Sequence, residues 1–140
     1  MAMKEIEIQA IVADYLRLHY PRVLFHSDFG SGIKLTMGQA VKQKRLNGGR
    51  RAWPDMFIAE PMPRYVDGSW NHEYNGLFIE LKKEGTRLKK RNGEWASEHI
   101  AEQSQVLQAL QDRGYKADFA LGFDQARRLI DDYLEGKNYE

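Results

Sequence analysis

The sequence predicts an α/β fold in which helices cover a central mixed β-sheet of about four strands. Segments with helical periodicity alternate with short apolar segments typical of strands, in the order α-β-α-β-β-α-β-α. The second observation is the stretch Leu77–Lys82, in which three apolar residues lead into Glu80 and Lys82. A run this apolar is typical of a strand buried on both faces, inside a mixed or parallel sheet.

The length and composition favour one globular domain spanning residues 1–140. With 42% apolar and 29% charged residues, the chain has an ordinary globular composition. We expect neither a membrane span, which needs roughly 20 apolar residues, nor a signal peptide. The sequence contains no cysteine, which excludes disulfides, thiolate nucleophiles and cysteine-zinc sites and suits a cytoplasmic protein.

The N-terminal half predicts two helices and two strands. Apolar residues recur at helical spacing from Lys4 to Tyr20, and a short strand is expected from Val23 to His26. A basic helix from Met37 to Leu46 ends at an Asn-Gly-Gly stop. Pro54 cannot donate to a ladder and therefore fits the first residue of the next strand, which runs to Ile58. This places Asp55 at the start of that strand.

The C-terminal half predicts two strands and two helices. Turn-forming residues from Pro61 to Gly76, including Asp67-Gly68, indicate a long loop that joins an antiparallel strand pair. The polar segment from Gly85 to Trp95 is expected to be a mobile loop. A helix from Ala96 to Arg113 stops at Gly114, a strand spans Ala117 to Phe123, and Asp124 caps the last helix.

Asp55, Glu80 and Lys82 form the candidate site. Side chains alternate along a strand, so Glu80 and Lys82 share one face while Leu81 points to the other. Carboxylates and carbonyl groups suit Mg²⁺, and Asp55, Glu80 and the Leu81 backbone carbonyl could supply its ligands. Lys82 could orient or deprotonate a water for phosphodiester hydrolysis. The alternative is a surface ion pair between Glu80 and Lys82, with Asp55 as a turn residue.

The net charge of +1 conceals two basic blocks. Lys34 to Arg51 contains six basic residues and no acidic one, and Lys82 to Arg91 contains six basic residues against Glu84 alone. Such blocks match a nucleic-acid phosphate backbone, although solvated surfaces are the alternative. Trp53 and Trp95 could stack on bases, but packing in the core or at its rim is the better interpretation for Trp53.

In combination, these motifs resemble the virus-type replication-repair nuclease (VRR-NUC) module of the PD-(D/E)XK nuclease superfamily. The resemblance covers roughly residues 5–134. The motifs are Arg51-x-Trp53-Pro54-Asp55, Gly76 to Lys82, Glu102-Gln103 with Leu107, Leu110 and Gly114-Tyr115, and Ala117 to Gly122.

The resemblance implies a restriction-endonuclease-like core and cleavage of DNA that depends on Mg²⁺ or Mn²⁺. Asp55 and Glu80 match the metal carboxylates, Lys82 the catalytic lysine, and Gln103 the glutamine on the following helix. The glutamate of the N-terminal helix matches Glu5, because Glu5-x-x-Ile8-Gln9 keeps the family phrase. Glu7 is the alternative.

We therefore predict an endonuclease that acts on branched DNA, a four-way junction or a flap, in the manner of Holliday-junction resolvases. Stand-alone members of this size look like phage proteins and are typically homodimers, so the resemblance implies a homodimer. We expect a cytoplasmic protein, in a bacterial host if a phage encodes it. Predicted DNA-binding residues are Lys42, Lys44, Arg45, Arg50, Arg51, Lys83, Arg87, Lys89, Lys90 and Arg91. The alternatives are a non-catalytic, structure-specific DNA-binding protein and a restriction-type nuclease acting on duplex DNA.

Overall fold

A four-stranded mixed sheet forms the centre of the fold. A separate two-stranded hairpin lies between the second and third of its strands in the sequence. The structure, a computed structural model, describes residues 3–28, 34–50 and 52–135. The helices are α1 Glu5–His19, α2 Met37–Leu46, α3 Glu98–Gln111 and α4 Gly122–Leu134. The strands are β1 Phe25–Ser27, β2 Met56–Ile58, β3 Met62–Val66, β4 Ser69–Tyr74, β5 Leu77–Lys82 and β6 Lys116–Leu121.

The central sheet has the strand order β1-β2-β5-β6. Strand β2 pairs antiparallel with both β1 and β5, whereas β5 and β6 pair in parallel. Parallel neighbours need a long crossover connection, and α3 provides it between β5 and β6. The predicted fold class, helices around a mixed sheet of about four strands, is confirmed.

Strand β5 is buried on both faces, as its apolar sequence predicts. On one face, Leu77, Ile79 and Leu81 join a core cluster with residues of α1 and α4. On the other face, Phe78 packs against a second cluster that α3 and Ala117 build. The strand that carries Glu80 and Lys82 is therefore held between two packed layers, which restricts where its side chains can point.

Strands β3 and β4 occupy the segment that the sequence predicts to be a long loop, so that prediction is wrong. They pair antiparallel, and the pair Val66↔Ser69 encloses the two-residue turn Asp67-Gly68. Both turn residues have positive φ, 50° and 83°, as a hairpin turn of type I′ requires. Met62 on β3 is fully buried in the main core cluster. This tertiary packing anchors a segment whose own composition is typical of a loop.

Two further boundaries differ from the sequence prediction. Lys89 and Trp95 form a β-bridge, and Lys90 N–H donates to the Glu94 carbonyl at 2.7 Å, so the polar segment after β5 is a hydrogen-bonded hairpin rather than an irregular loop. We call residues 83–97 the basic hairpin. The last helix begins at Gly122, where φ is +85°, and Asp124 lies in its first turn rather than at its cap. A positive φ suits glycine and marks the point where strand becomes helix.

Helix α2 forms as predicted, and Thr36 caps it by accepting from Gln39 N–H at 3.2 Å. It buries no residue, and its apolar residues Met37, Val41 and Leu46 are exposed. Among the described residues, no helix combines the length and apolar character needed to cross a membrane.

Candidate active site

The pairing of β2 with β5 brings Asp55 and Glu80 together. Met56 pairs with Ile79, so continuing the register by one residue places Asp55 opposite Glu80. The Oδ2 atom of Asp55 accepts a hydrogen bond from the Leu81 N–H at 2.7 Å. The exposed fractions are only 7% for Asp55 and 3% for Glu80. The two carboxyl groups thus lie side by side at the edge of the core.

Glu80 is held from the opposite side by α3. The Nε2 atom of Gln103 donates to Glu80 Oε1 at 2.6 Å, and both side chains are buried. Ser97 fixes the start of this helix by accepting from Ile100 N–H at 3.1 Å. The predicted glutamine is therefore brought to the carboxylate, where it can orient the carboxyl group without neutralising it.

Lys82 lies two residues after Glu80 and is 6% exposed. Its charge lowers the pKa of both Asp55 and Glu80, so the three groups share one electrostatic site. The alternative of a surface ion pair does not fit, because all three residues are buried. A buried charge without a partner destabilises the folded state, so a purely structural role for these three groups would lower the stability of the protein.

Burial raises the pKa of Asp55 to about 6, against the opposing effect of the Leu81 hydrogen bond. Burial, followed by the neighbouring charge of Asp55, raises the pKa of Glu80 well above its usual range. Each of two adjacent carboxylates disfavours the charged form of the other, unless a cation offsets their repulsion. The site therefore stores an unfavourable electrostatic interaction that a bound cation would relieve.

The donor set fits a hard divalent cation. Glu80 Oε2 is buried and has no hydrogen-bond partner among the described residues, so a ligand oxygen is free. The Leu81 side chain packs in the core, which leaves its backbone carbonyl as the group that could contribute. Within the described ranges, no group of three or more His, Cys, Asp or Glu could hold a metal. Mg²⁺ commonly binds one or two carboxylates and completes its coordination with water and substrate oxygens.

The N-terminal helix also reaches the site. Glu5 opens α1, and its charge raises the pKa of Asp55 and of Glu80. Glu7 is exposed, and its Oε1 atom accepts from Lys4 N–H at 3.4 Å, a capping interaction. This placement favours Glu5 over Glu7 as the helix glutamate, although a role for Glu5 in the reaction stays a prediction.

Sequence reasoning assigned no role to Gln9, which the structure places next to the site. It is buried on α1, and its Nε2 atom donates to Ser27 Oγ at 2.7 Å and to the Asp28 carbonyl at 2.9 Å. Asp28 N–H in turn donates to the Asp55 carbonyl at 2.8 Å. Gln9 therefore connects α1 to the backbone that carries Asp55. Its signal in the sequence was an amide directly after the buried Ile8.

The predicted DNA-binding residues lie on two separate segments. Lys42, Lys44, Arg45 and Arg50 belong to α2 and the turn after it, and Lys83, Arg87, Lys89, Lys90 and Arg91 belong to the basic hairpin. Lys44 is half-buried and the others are exposed. The ion pairs Arg17–Asp14, Lys116–Asp118 and Arg127–Asp131 involve none of these basic residues, and the Lys89 Nζ atom lies 4.7 Å from the centre of the Trp95 ring. Arg51 lies outside the described residues.

Comparison with known proteins identifies the fold. The structure is similar to a solved structure titled "VRR_NUC domain protein", with a TM-score of 0.65 and 23% sequence identity. The similarity covers 96% of this chain and 91% of that chain. No family model and no curated protein matches the sequence. The fold is therefore that of the module which the sequence motifs resemble, along nearly its whole length.

Proposed function

We propose that this chain is an endonuclease that hydrolyses phosphodiester bonds in branched DNA and depends on Mg²⁺ or Mn²⁺. The observation that carries the proposal is the adjacency of two buried carboxylates, Asp55 and Glu80, with Lys82 on the same strand. The free Oε2 atom of Glu80 supports a metal-binding role for this pair. The likeness in fold to a VRR_NUC domain protein supports a nuclease of that family.

Asp55, Glu80 and the Leu81 carbonyl would hold the cation. When bound, a divalent metal polarises the phosphoryl oxygen and lowers the pKa of a coordinated water. Lys82 would orient the attacking water or accept its proton, and its ammonium form would neutralise charge that develops on the phosphate. Gln103 would keep the Glu80 carboxylate in one orientation through its 2.6 Å hydrogen bond.

The exposed basic residues of α2 and of the basic hairpin would bind the DNA backbone. Phosphate contacts carry no sequence information, so the proposal includes weak sequence preference and a steep dependence on salt. A homodimer would present two such sites to the two strands of a four-way junction in a symmetric way. We place the enzyme in the cytoplasm, that of a bacterial host if a phage encodes it.

A substrate panel tests this proposal. A labelled four-way junction, a flap and a linear duplex are incubated with the protein in Mg²⁺, in Mn²⁺ and in EDTA. We expect cutting near the branch points of the first two substrates, only when metal is present. Folded protein that cuts none of the substrates would contradict the enzyme. Tight junction binding without products would instead indicate the non-catalytic DNA-binding protein, and discrete fragments from long duplex DNA would indicate a restriction-type nuclease.

A further inference from the structure

A cavity of about 450 Å³ adjoins the candidate active site, and Asp55 forms part of its wall. The sheet register explains why the cavity and the site are neighbours. Phe57 pairs with Phe78 two residues away from the Asp55–Glu80 position, and His26 pairs with Phe57 on the next strand. Side chains two residues apart on a strand share a face. The cavity therefore opens on the same face of the sheet as the carboxylates.

Aromatic rings form one side of this cavity. The rings of Phe57 and Phe78 are stacked, with centroids 4.4 Å apart and planes at 19°. The indole of Trp53 lies 6.3 Å from the Phe78 ring, and Trp53 is 39% exposed. The Trp53 Nε1–H donates to the Asn47 carbonyl at 3.3 Å, which anchors the indole to the turn after α2. An anchored, exposed indole beside other rings suits stacking with a flat π-system.

Polar side chains line another part of the cavity, next to Asp28, Leu46 and Pro54. Gln43 and Asn47 come from the end of α2 and from its cap, and His26 comes from β1. Side-chain amides offer both donors and acceptors, and an imidazole can offer one of each, which matches the edge of a nucleobase. The same helix carries Lys42 and Arg45 on its exposed surface, where a sugar-phosphate backbone could lie. The cavity volume is also within the range of roughly 300–1,000 Å³ typical of small-ligand sites.

We propose that this cavity receives an unpaired nucleobase of the strand that is cut at Asp55 and Glu80. The inference rests on the proposed nuclease function and defines its preferred substrate as DNA with an unpaired nucleotide next to the scissile phosphate, whereas a paired base at a junction must first be opened. A base inside a duplex is stacked and paired, and its removal has an energetic cost. That cost is smallest for a base that is already unpaired, as in a flap. The pocket would thereby select branched DNA through base stacking rather than through sequence.

The test compares flap substrates that carry either adenine or an abasic analogue at each nucleotide flanking the branch point. Single-turnover cleavage rates are measured at subsaturating enzyme for the wild type, Trp53→Ala, Trp53→Phe and the control Leu18→Ala. Leu18 is an exposed apolar residue of α1, which packs on the other face of the sheet. At one of these positions, we expect the wild type to cut the adenine substrate about 5- to 150-fold faster than the abasic substrate. This is the range that stacking of one base supplies.

The variants distinguish stacking from a general loss of activity. We expect Trp53→Ala to reduce the preference to nearly 1, because its rate falls on the adenine substrate and much less on the abasic one. Trp53→Phe should keep part of the preference, and Leu18→Ala all of it. Equal wild-type rates at every position, or an equal decrease on both substrates in Trp53→Ala, would overturn the proposal.

A binding measurement separates this inference from the nuclease proposal. A flap carrying 2-aminopurine at the same nucleotides is titrated with protein in EDTA. We expect quenching with the wild type and with Leu18→Ala, and its loss with Trp53→Ala. Quenching that depends on Trp53, with no cleavage in any metal, would refute the nuclease and retain the base pocket. Cleavage without base preference and without quenching would retain the nuclease and refute the pocket.

Discussion

Asp55 accepts a 2.7 Å hydrogen bond from the backbone N–H of Leu81, the residue that follows Glu80. This bond connects the start of β2 to the end of β5 and fixes one carboxylate oxygen of Asp55. On the other side of the pair, Gln103 fixes one oxygen of Glu80. Each carboxylate therefore keeps a second oxygen that is not used by these bonds. Two adjacent carboxylates oriented in this way repel each other when both are charged, and a bound cation would offset that repulsion.

The first prediction concerns the stability of the metal-free protein. Burial raises the pKa of Asp55 to about 6, whereas an unfolded chain gives it a pKa of about 3.9. The folded state thus favours the protonated acid. The contribution of the Asp55 carboxyl group to the free energy of unfolding is fully present below pH ~4 and is lost as the pH rises through about 6. Asp55→Asn removes this titration, so in EDTA the excess of its melting temperature over that of the wild type should grow from pH 4 to about pH 7 and stay constant above that.

The control and the metal dependence of this experiment are equally defined. Asp14→Asn changes an exposed carboxylate on α1 and should melt in parallel with the wild type at every pH. Added Mg²⁺ should raise the wild-type melting temperature, since a ligand that binds the folded state stabilises it, and should have little effect on Asp55→Asn. A wild type that is more stable than Asp55→Asn in EDTA at pH 8 would argue against an uncompensated acidic pair.

The second prediction concerns Gln103 as a positioning residue. Gln103→Ala leaves Glu80 Oε1 without its hydrogen bond, and a buried unsatisfied acceptor costs about 1–3 kcal/mol of stability. Loss of a group that orients a metal ligand typically lowers metal affinity or activity about 10- to 100-fold. The cleavage rate as a function of Mg²⁺ concentration measures this effect. Gln108→Ala, on the exposed side of the same helix, is the matched control. Equal metal dependence in both variants would show that Gln103 only packs.

The third prediction concerns the basic hairpin. If Lys90 and Arg91 contact phosphates, their combined replacement by Ala should weaken junction binding and make the slope of log K against log[salt] shallower by about 0.9 for each lost contact with duplex DNA. Fluorescence anisotropy between low and moderate salt measures the slope. Lys116→Ala is the control, because this lysine is paired with Asp118 at 3.1 Å. An unchanged slope would assign the hairpin to another role.

The residues that sequence predicted well are those whose signal is local. The apolar run Leu77 to Ile79 and the two-residue period of a strand sufficed to place Glu80 and Lys82 on one buried strand. Pro54, predicted as the first residue of a strand, lies two residues before the actual start of β2 at Met56. The sequence also predicted an antiparallel strand pair with Asp55 at the start of one strand and Glu80 near the end of the other, but the register that places them opposite each other is a tertiary property. Gln103 lies 23 residues from its partner, and no local pattern connects the two.

The errors have a tertiary origin as well. The turn-forming residues of the β3–β4 segment predict a loop, yet burial of Met62 in the core anchors it as a hairpin. The start of α4 depends on the positive φ of Gly122, which the continuous run of Ala117 to Phe123 does not reveal. In each case, local composition alone does not predict the structure, because the structure depends on packing and backbone conformation in the folded chain.

The most direct test of the account compares Lys82→Ala with the wild type on a labelled four-way junction in Mg²⁺. Cleavage and junction binding are measured on the same samples, and the thermal transition verifies folding. We predict that the wild type cuts the junction and that Lys82→Ala binds with similar affinity and produces no detectable product. A folded Lys82→Ala protein that cuts the junction at the wild-type rate would contradict it.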